Sequence, residues 1–227
     1  MDVRYYNDKI NSDMREKFEN LCSFLLQYNE KVNLTSITAR EDVFLKHFLD
    51  SVLGEKLFFK GAHVVEIGSG GGFPSIPLKF FRDDLSFTLV ESTGKKCDYL
   101  RACVDNFNLK SVQVVNARAE ELGKDKNYRE KYDCACARAV ARLNVLCEYC
   151  LPLVKVGGKF IAYKGESDGE IAEAQRAIKV LGGEIESVEK YCLPSSDKRT
   201  LISIKKVCAT PLKYPRGNGK ERKCPII

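Results

Sequence analysis

One stretch of the chain concentrates residues able to hold a ligand: Glu66-Ile67-Gly68-Ser69-Gly70-Gly71-Gly72-Phe73-Pro74. Glycines at this density let a backbone adopt positive φ and pass close to a bound group. Their spacing separates two cofactor classes. A nicotinamide fingerprint reads Gly-x-Gly-x-x-Gly. Started at Gly68, its third glycine falls on Phe73; started at Gly70, it falls on Ser75. The pattern is instead acid-x-Gly-x-Gly-x-Gly, with Glu66 ahead of Gly68, Gly70 and Gly72. A carboxylate there suits a cation, such as the sulfonium and amino end of S-adenosylmethionine, and repels a pyrophosphate. The spacing therefore favours S-adenosylmethionine and keeps a nicotinamide as the lesser alternative.

Three further features fall at successive strand ends. Glu91 lies roughly twenty residues past the glycines, where a carboxylate can accept ribose hydroxyls in either cofactor class. Ala117-Arg118-Ala119-Glu120 follows the third strand, within reach of an adenine edge. Arg138 closes the fourth. Each alone reads as a tight turn or a surface charge. Together they converge on one crevice beyond the carboxyl ends of a sheet.

The elements that must position these residues are legible as periodicity. Phe18, Leu21, Cys22, Leu25 and Leu26 recur at helical spacing within 14–29, with Ser12 or Asp13 as its cap. Val43, Phe44, His47, Phe48 and Leu53 mark a second helix over 40–53, after the polar turn Asn33-Leu34-Thr35-Ser36. His47 and Asp50 share a face of it, and their apolar neighbours favour a structural role, ordering this segment against the core. From His63 the period changes to strand–helix alternation. Strands are expected at 63–68, 86–91, 112–116, 132–138 and 159–164, with helices at 74–81, 94–107, 143–151 and 167–181. Two last strands, 184–192 and 200–207, have no helix between them and predict an antiparallel pair. The expectation is an α/β, Rossmann-like sheet, mostly parallel with the last strand antiparallel. An N-terminal helical extension (1–57), a sheet domain (58–207) and a basic C-terminal tail (208–227) divide the chain.

Composition excludes other classes. The 227 residues are 44% hydrophobic and 30% charged, which excludes a disordered chain. No apolar run is long enough for a transmembrane helix, and Met1-Asp2-Val3-Arg4-Tyr5-Tyr6 does not read as a secretory leader, so a cytoplasmic protein is expected. The net charge of +6 permits a polyanionic partner, and 207–227 carries 5 basic side chains against 1 acidic. Ten cysteines raise the question of zinc. Cys134-Ala-Cys136 falls in an apolar strand and Cys147/Cys150 on an amphipathic helix, which favours structural cysteines over a metal site. No metal and no disulfide framework are expected.

The ordered motifs resemble one family. They are Asn33-Leu34-Thr35, His47-Phe48-Leu49-Asp50-Ser51, the loop Glu66 to Pro77 and Glu91-Ser92-Thr93-Gly94-Lys95-Lys96. Arg118-Ala119-Glu120-Glu121, Arg138-Ala139-Val140-Ala141, Lys164-Gly165 and Tyr214-Pro215-Arg216 complete the set. Over roughly 15–216 the chain resembles the bacterial 16S ribosomal RNA guanine-N7 methyltransferases, also called glucose-inhibited division protein B. The resemblance implies a class I S-adenosylmethionine-dependent fold, methyl transfer to guanine 527 of the 530 loop, and the small ribosomal subunit as partner. It implies cofactor contacts at Gly68, Phe73, Ala119, Glu120 and Arg138, with Glu91, Ser92 and Thr93 along the ribose. Glu66 stands where the family commonly has Asp, and Ser75 where Gly is usual. The tail after Arg216 lacks the family's usual proline spacing, which leaves its docking open.

Guanine N7 suits what is missing. Cytosine-C5 transfer needs an attacking cysteine, but Cys224-Pro225 is reversed from the usual order and lies in the tail. Exocyclic-amine transfer uses an Asn/Asp-Pro-Pro-Tyr segment after the fourth strand, where this chain has Ala137-Arg138-Ala139-Val140. N7 has an in-plane lone pair and no proton to lose, so positioning and electrostatics suffice and no general base is expected. Arg138 is the foremost candidate, as a cofactor or guanine-edge contact. Lys95, Lys96, Arg142, Lys164, Arg199, Lys213 and Arg216 are the candidate RNA contacts, and Phe73 or Tyr163 a stacking platform. A monomer is expected. A catalytically inactive RNA-binding module and a small-molecule methyltransferase or oxidoreductase remain the alternatives.

Overall fold

A computed structural model describes residues 10–227. The opening stretch read for a secretory leader lies outside the described residues. Helix α1 (Ser12–Asn29) starts at Asn11, whose side chain accepts the Met14 N–H at 2.9 Å. Asn11, not Ser12 or Asp13, is thus the cap. Phe18, Leu21, Cys22 and Leu25 form its buried face.

Helix α2 runs through Arg40–Val43, Phe44–Leu49 and Asp50–Val52, and its middle section is wound as a π-helix. Its helical period is legible in the sequence; the wide turn is not. It buries the consecutive residues His47 to Val52. Such π segments are frequent at functional sites. Phe18 stacks on Phe48 with ring centroids 5.2 Å apart. Both belong to one buried cluster with Val64, Phe73, Ile76, Tyr99 and Cys136 of the sheet region. The extension therefore packs as a layer on one face of the sheet.

Seven strands form one sheet in the order β3-β2-β1-β4-β5-β7-β6. They are β1 (His63–Ile67), β2 (Ser86–Glu91), β3 (Val112–Asn116), β4 (Tyr132–Arg138), β5 (Val154–Lys164), β6 (Gly183–Cys192) and β7 (Lys198–Lys206). β1 to β5 pair in parallel, while β7 runs antiparallel to both β5 and β6. Crossovers are α3 (Ser75–Phe81), α4 (Gly94–Asn106), the single turn α5 (Ala119–Leu122), α6 (Leu143–Cys150) and α7 (Asp168–Val180). β5 begins at Val154 rather than at 159, because pairing with β4 shifts register between Tyr132 and Cys134. The extra residues bulge at Gly157, whose φ of +89° an L side chain rarely adopts.

The cysteine pairs part company across the sheet: Cys134 and Cys136 lie in the cluster on the extension side, Cys147 and Cys150 in the cluster beneath α6. No group of three or more His, Cys, Asp or Glu converges on a metal-sized site among the described residues. No described helix is long and apolar enough to cross a membrane.

The tail is folded back rather than loose. Buried Glu148 takes Arg216 by two teeth, Oε1 to Nε at 2.9 Å and Oε2 to Nη2 at 2.7 Å. Arg129 donates to the carbonyls of Tyr214 and Thr210 at 2.8 and 2.7 Å. A short helix, α8 (Lys220–Lys223), ends the docked segment.

Candidate functional site

β1 and β4 sit at the centre of the sheet, where the strand order reverses, and their carboxyl ends open into a crevice. Two cavities of about 660 and 690 Å³ meet there along Gly68, Ser92 and Val140. The first runs from the glycine turn to the extension and includes Thr35, His47, Asp50, Glu91 and Arg138. The second runs along Ala119 and Glu120 to the tail residues Gly217, Asn218, Gly219 and Arg222.

The glycine turn is tight because strand and helix are joined with little chain. Gly68, Gly70 and Gly72 all have positive φ. A Cβ on Gly68 would lie 2.6 Å from Val140 Cγ2, so the crevice wall leaves no room for a side chain there. Gly68 and Ser69 donate their N–H groups to Val90 O, which fastens the turn to β2.

Glu66 stands behind the turn, fully buried, and its Oε2 accepts the Ser75 N–H at 3.0 Å. Its Oε1 has no hydrogen-bond partner among the described residues. Burial is the main reason its carboxyl is pushed up to about 7, opposed by the Ser75 hydrogen bonds and the Arg138 charge. Glu91 reaches across from β2: its Oε2 accepts the Gly70 N–H at 3.1 Å and its Oε1 the Thr93 N–H at 2.8 Å. Each oxygen keeps a lone pair for a further donor.

Arg138 turns toward the extension. Its Nη1 donates to Lys46 O at 3.1 Å and to Asp50 Oδ2 at 3.3 Å, and its Nη2 lies 2.9 Å from His47 Nδ1. The guanidinium carbon sits 5.0 Å above the Phe73 ring, and His47 stacks on Phe73 with centroids 4.4 Å apart. Asp50 also accepts the Tyr191 hydroxyl at 2.7 Å and faces Arg199 Nε at 3.5 Å. His47 is lowered to about 3, first by burial and then by the Arg138 charge, so its ring is neutral. The face shared by His47 and Asp50 therefore orders the extension, and Arg138 is the group it orders.

Of the candidate cofactor residues, Gly68, Gly70, Phe73, Glu91, Ser92 and Arg138 line the first cavity and Ala119 and Glu120 the second. Glu66 and Gly72 are buried behind the wall, while exposed Thr93 lies outside both cavities and braces Glu91 through its N–H. Neither aromatic is an open platform: Phe73 is sandwiched with His47, and buried Tyr163 donates its hydroxyl to Ser51 O at 3.0 Å.

The basic candidates separate by partner. Lys164 is tied to Glu170 at 2.8 Å and to Ala141 O, Arg199 to Asp50, and Arg216 to Glu148. Arg142 pairs with Glu173 at the surface. Lys95 and Lys96 make no ion pair among the described residues, and Lys213 stands 5.3 Å from its neighbour Tyr214's ring. Motif reading alone did not assign site roles to Asn29, Thr35, Tyr191 or the tail glycines. Their partners are 2 to 141 positions away in sequence, and only the polar turn Asn33-Leu34-Thr35-Ser36 left a local trace.

Strand order, the lone antiparallel strand and a crevice over the glycine turn define a class: the chain has the Rossmann-like fold of class I methyltransferases. A SAM-dependent methyltransferase from Aquifex aeolicus superposes with a TM-score of 0.54 at 15% identity, covering 71% of this chain and 92% of that one. The chain belongs to the GidB family, described as rRNA small subunit methyltransferase G, whose family model matches residues 14–201. Ribosomal RNA small subunit methyltransferase G of Lactobacillus acidophilus is 44% identical over 233 residues, covering 100% of this chain and 97% of its own length. The protein of that name from Acetivibrio thermocellus is 44% identical over 219 residues, covering 96% and 90%.

Proposed function

We propose that this chain transfers the methyl group of S-adenosylmethionine to N7 of a guanine in 16S ribosomal RNA, guanine 527 of the 530 loop. It acts as a monomer on the small subunit in the cytoplasm. One observation carries the reading beyond family membership: two cavities that meet along Gly68, Ser92 and Val140, with carboxylates placed along them. That shape suits a long ligand with a purine at one end, a diol in the middle and a charged amino-acid end.

Ala119 and Glu120 would hold the adenine end, and Glu91, Ser92 and the Thr93 backbone the ribose. Gly68 and Gly70, braced by Glu66 and Gly72, would leave room for the methionine end beside Phe73 and Arg138. The cofactor supplies an electrophilic methyl on a sulfonium. The chain's part is to orient and exclude water, since N7 has no proton to remove. Arg138, immobilised by Asp50 and His47, positions the wall next to the transfer point. Lys95, Lys96 and Lys213, with Arg142, would meet phosphates; Lys164, Arg199 and Arg216 serve the fold first.

The test is transfer of labelled methyl from S-adenosylmethionine to small-subunit RNA from cells lacking the protein. The modified base is then mapped by strand scission specific for N7-methylguanine. Label at guanine 527 supports the reading. Cofactor binding without label in RNA, or label in metabolites, overturns it.

A further inference from the structure

The lip of the first cavity carries a hydrogen-bond donor whose polarity is forced. Thr35 lies on the turn between α1 and α2, and Asn29 pins that turn. Asn29 Oδ1 accepts the N–H groups of Leu34 and Thr35 at 2.8 and 2.9 Å, and its Nδ2 donates to Thr35 O at 3.0 Å. Thr35 Oγ1 accepts the Ile37 N–H at 3.0 Å and lies 2.8 Å from His47 Nε2.

The far side of the imidazole settles which way that last bond runs. His47 Nδ1 lies 2.9 Å from Arg138 Nη2. A guanidinium has donors and no acceptor. His47 Nδ1 therefore accepts, Nε2 carries the ring proton, and Nε2–H donates to Thr35 Oγ1. Both lone pairs of the threonine oxygen are then engaged. Its own proton has no acceptor among the described residues, and Thr35 lines the cavity.

We propose that the Thr35 hydroxyl donates to O6 of the target guanine and so reads the base, with His47 as the positioning residue that sets its polarity. This rests on the guanine-N7 reading above. Guanine shows N7 and O6 side by side as acceptors; adenine shows N7 beside an amino donor. A base that brings N7 to a methyl donor brings its 6-substituent too. A group restricted to donating pairs with guanine and sets donor against donor with adenine. The other polar groups of the wall fit this role less well. Arg138 turns its contacts to Lys46, His47 and Asp50. Lys96 is a charge on a flexible stem. Thr35 combines a short side chain, a pinned backbone and a fixed polarity.

The test compares wild type, Thr35→Val and Thr35→Ser on small-subunit RNA carrying guanine or 2-aminopurine at the methylated position. 2-Aminopurine keeps N7 and lacks O6. Wild type should lose about tenfold or more in kcat/KM on 2-aminopurine, the scale of one buried hydrogen bond left unmade. Thr35→Val should lose about as much on guanine, yet show no comparable preference between the two bases; Thr35→Ser should keep the preference. A purely structural role for Thr35 would slow both substrates alike and preserve the ratio, which would overturn the inference. Should Thr35→Val not fold, wild type methylating both RNAs equally would overturn it alone. Wild type that binds cofactor but methylates neither RNA would instead sink the functional reading, and this inference with it.

Discussion

Arg138 and Asp50, 88 positions apart in the chain, meet at 3.3 Å at the wall of the crevice. The guanidinium comes from the end of a central strand and the carboxylate from the helical extension, and both side chains are nearly excluded from solvent. The extension therefore holds a charged side chain in place at the wall of the crevice.

Replacing Arg138 by Ala should remove most methyl transfer and lower stability by about 3 kcal/mol, since a buried carboxylate loses a partner. Arg199 and Tyr191 keep Asp50 from being wholly unpaired. Arg138→Lys should not restore activity, because an ammonium cannot reach His47 and the Lys46 carbonyl together in the same geometry. Denaturant titration and turnover measured on the same preparations check both statements; a variant with wild-type turnover would remove Arg138 from the site.

Gly68→Ala should weaken S-adenosylmethionine binding while leaving a folded protein. The residue sits at φ +69°, and its Cβ would press on Val140. The left-handed conformation costs an L side chain roughly 1–2 kcal/mol. Adding Val140→Ala should relieve the clash but not this backbone cost, so calorimetry should find affinity only partly recovered.

Glu66 sets a pH dependence. Its folded pKa, about 7, lies above the ordinary glutamate value of 4.5, so the native state holds the extra proton between those limits. Stability from this group is therefore greatest at low pH and falls as pH rises from near 4.5 to beyond 7. The loss is on the order of 3 kcal/mol by linkage. Glu66→Gln keeps an acceptor for the Ser75 N–H and should remove this contribution. The stability of wild type relative to the variant should therefore fall with pH in urea titrations from pH 5 to 8. The opposite slope from His47, lowered to about 3, is common to both proteins. An unchanged slope would show that another group titrates.

Cutting the tail's tether should reach the cofactor. Arg216→Ala leaves Glu148 buried without its partner, at about 3 kcal/mol. The released segment carries Gly217–Gly219 and Arg222 away from the second cavity. Limited proteolysis should then trim the tail, and affinity for S-adenosylmethionine should fall. A trimmed variant with intact affinity would detach the tail from the binding site.

Lys95→Ala with Lys96→Ala should reduce the salt dependence of RNA binding by a slope of about two, one for each phosphate no longer neutralised. Lys164→Ala should change stability and leave that slope alone, because its ammonium is already committed to Glu170 and Ala141 O. Binding titrations across salt concentrations distinguish the two.

The amino-acid sequence alone determined the alternation of strands and helices, the antiparallel finish, the glycine turn and the acids at strand ends. These are local properties: a two-residue or 3.6-residue period, and a turn dense in glycine. It also carried enough ordered motifs to point to the family. Tertiary structure alone decided which charges are available. Lys164, Arg199 and Arg216 read as surface cations along the chain, and folding pairs each with an acid 6 to 149 positions away. It decided that Glu66 braces the turn from behind, that the tail closes the second cavity, and that His47 and Arg138 orient a threonine on a distant turn. Burial and partner choice depend on distances between segments far apart in sequence, and no periodicity records them.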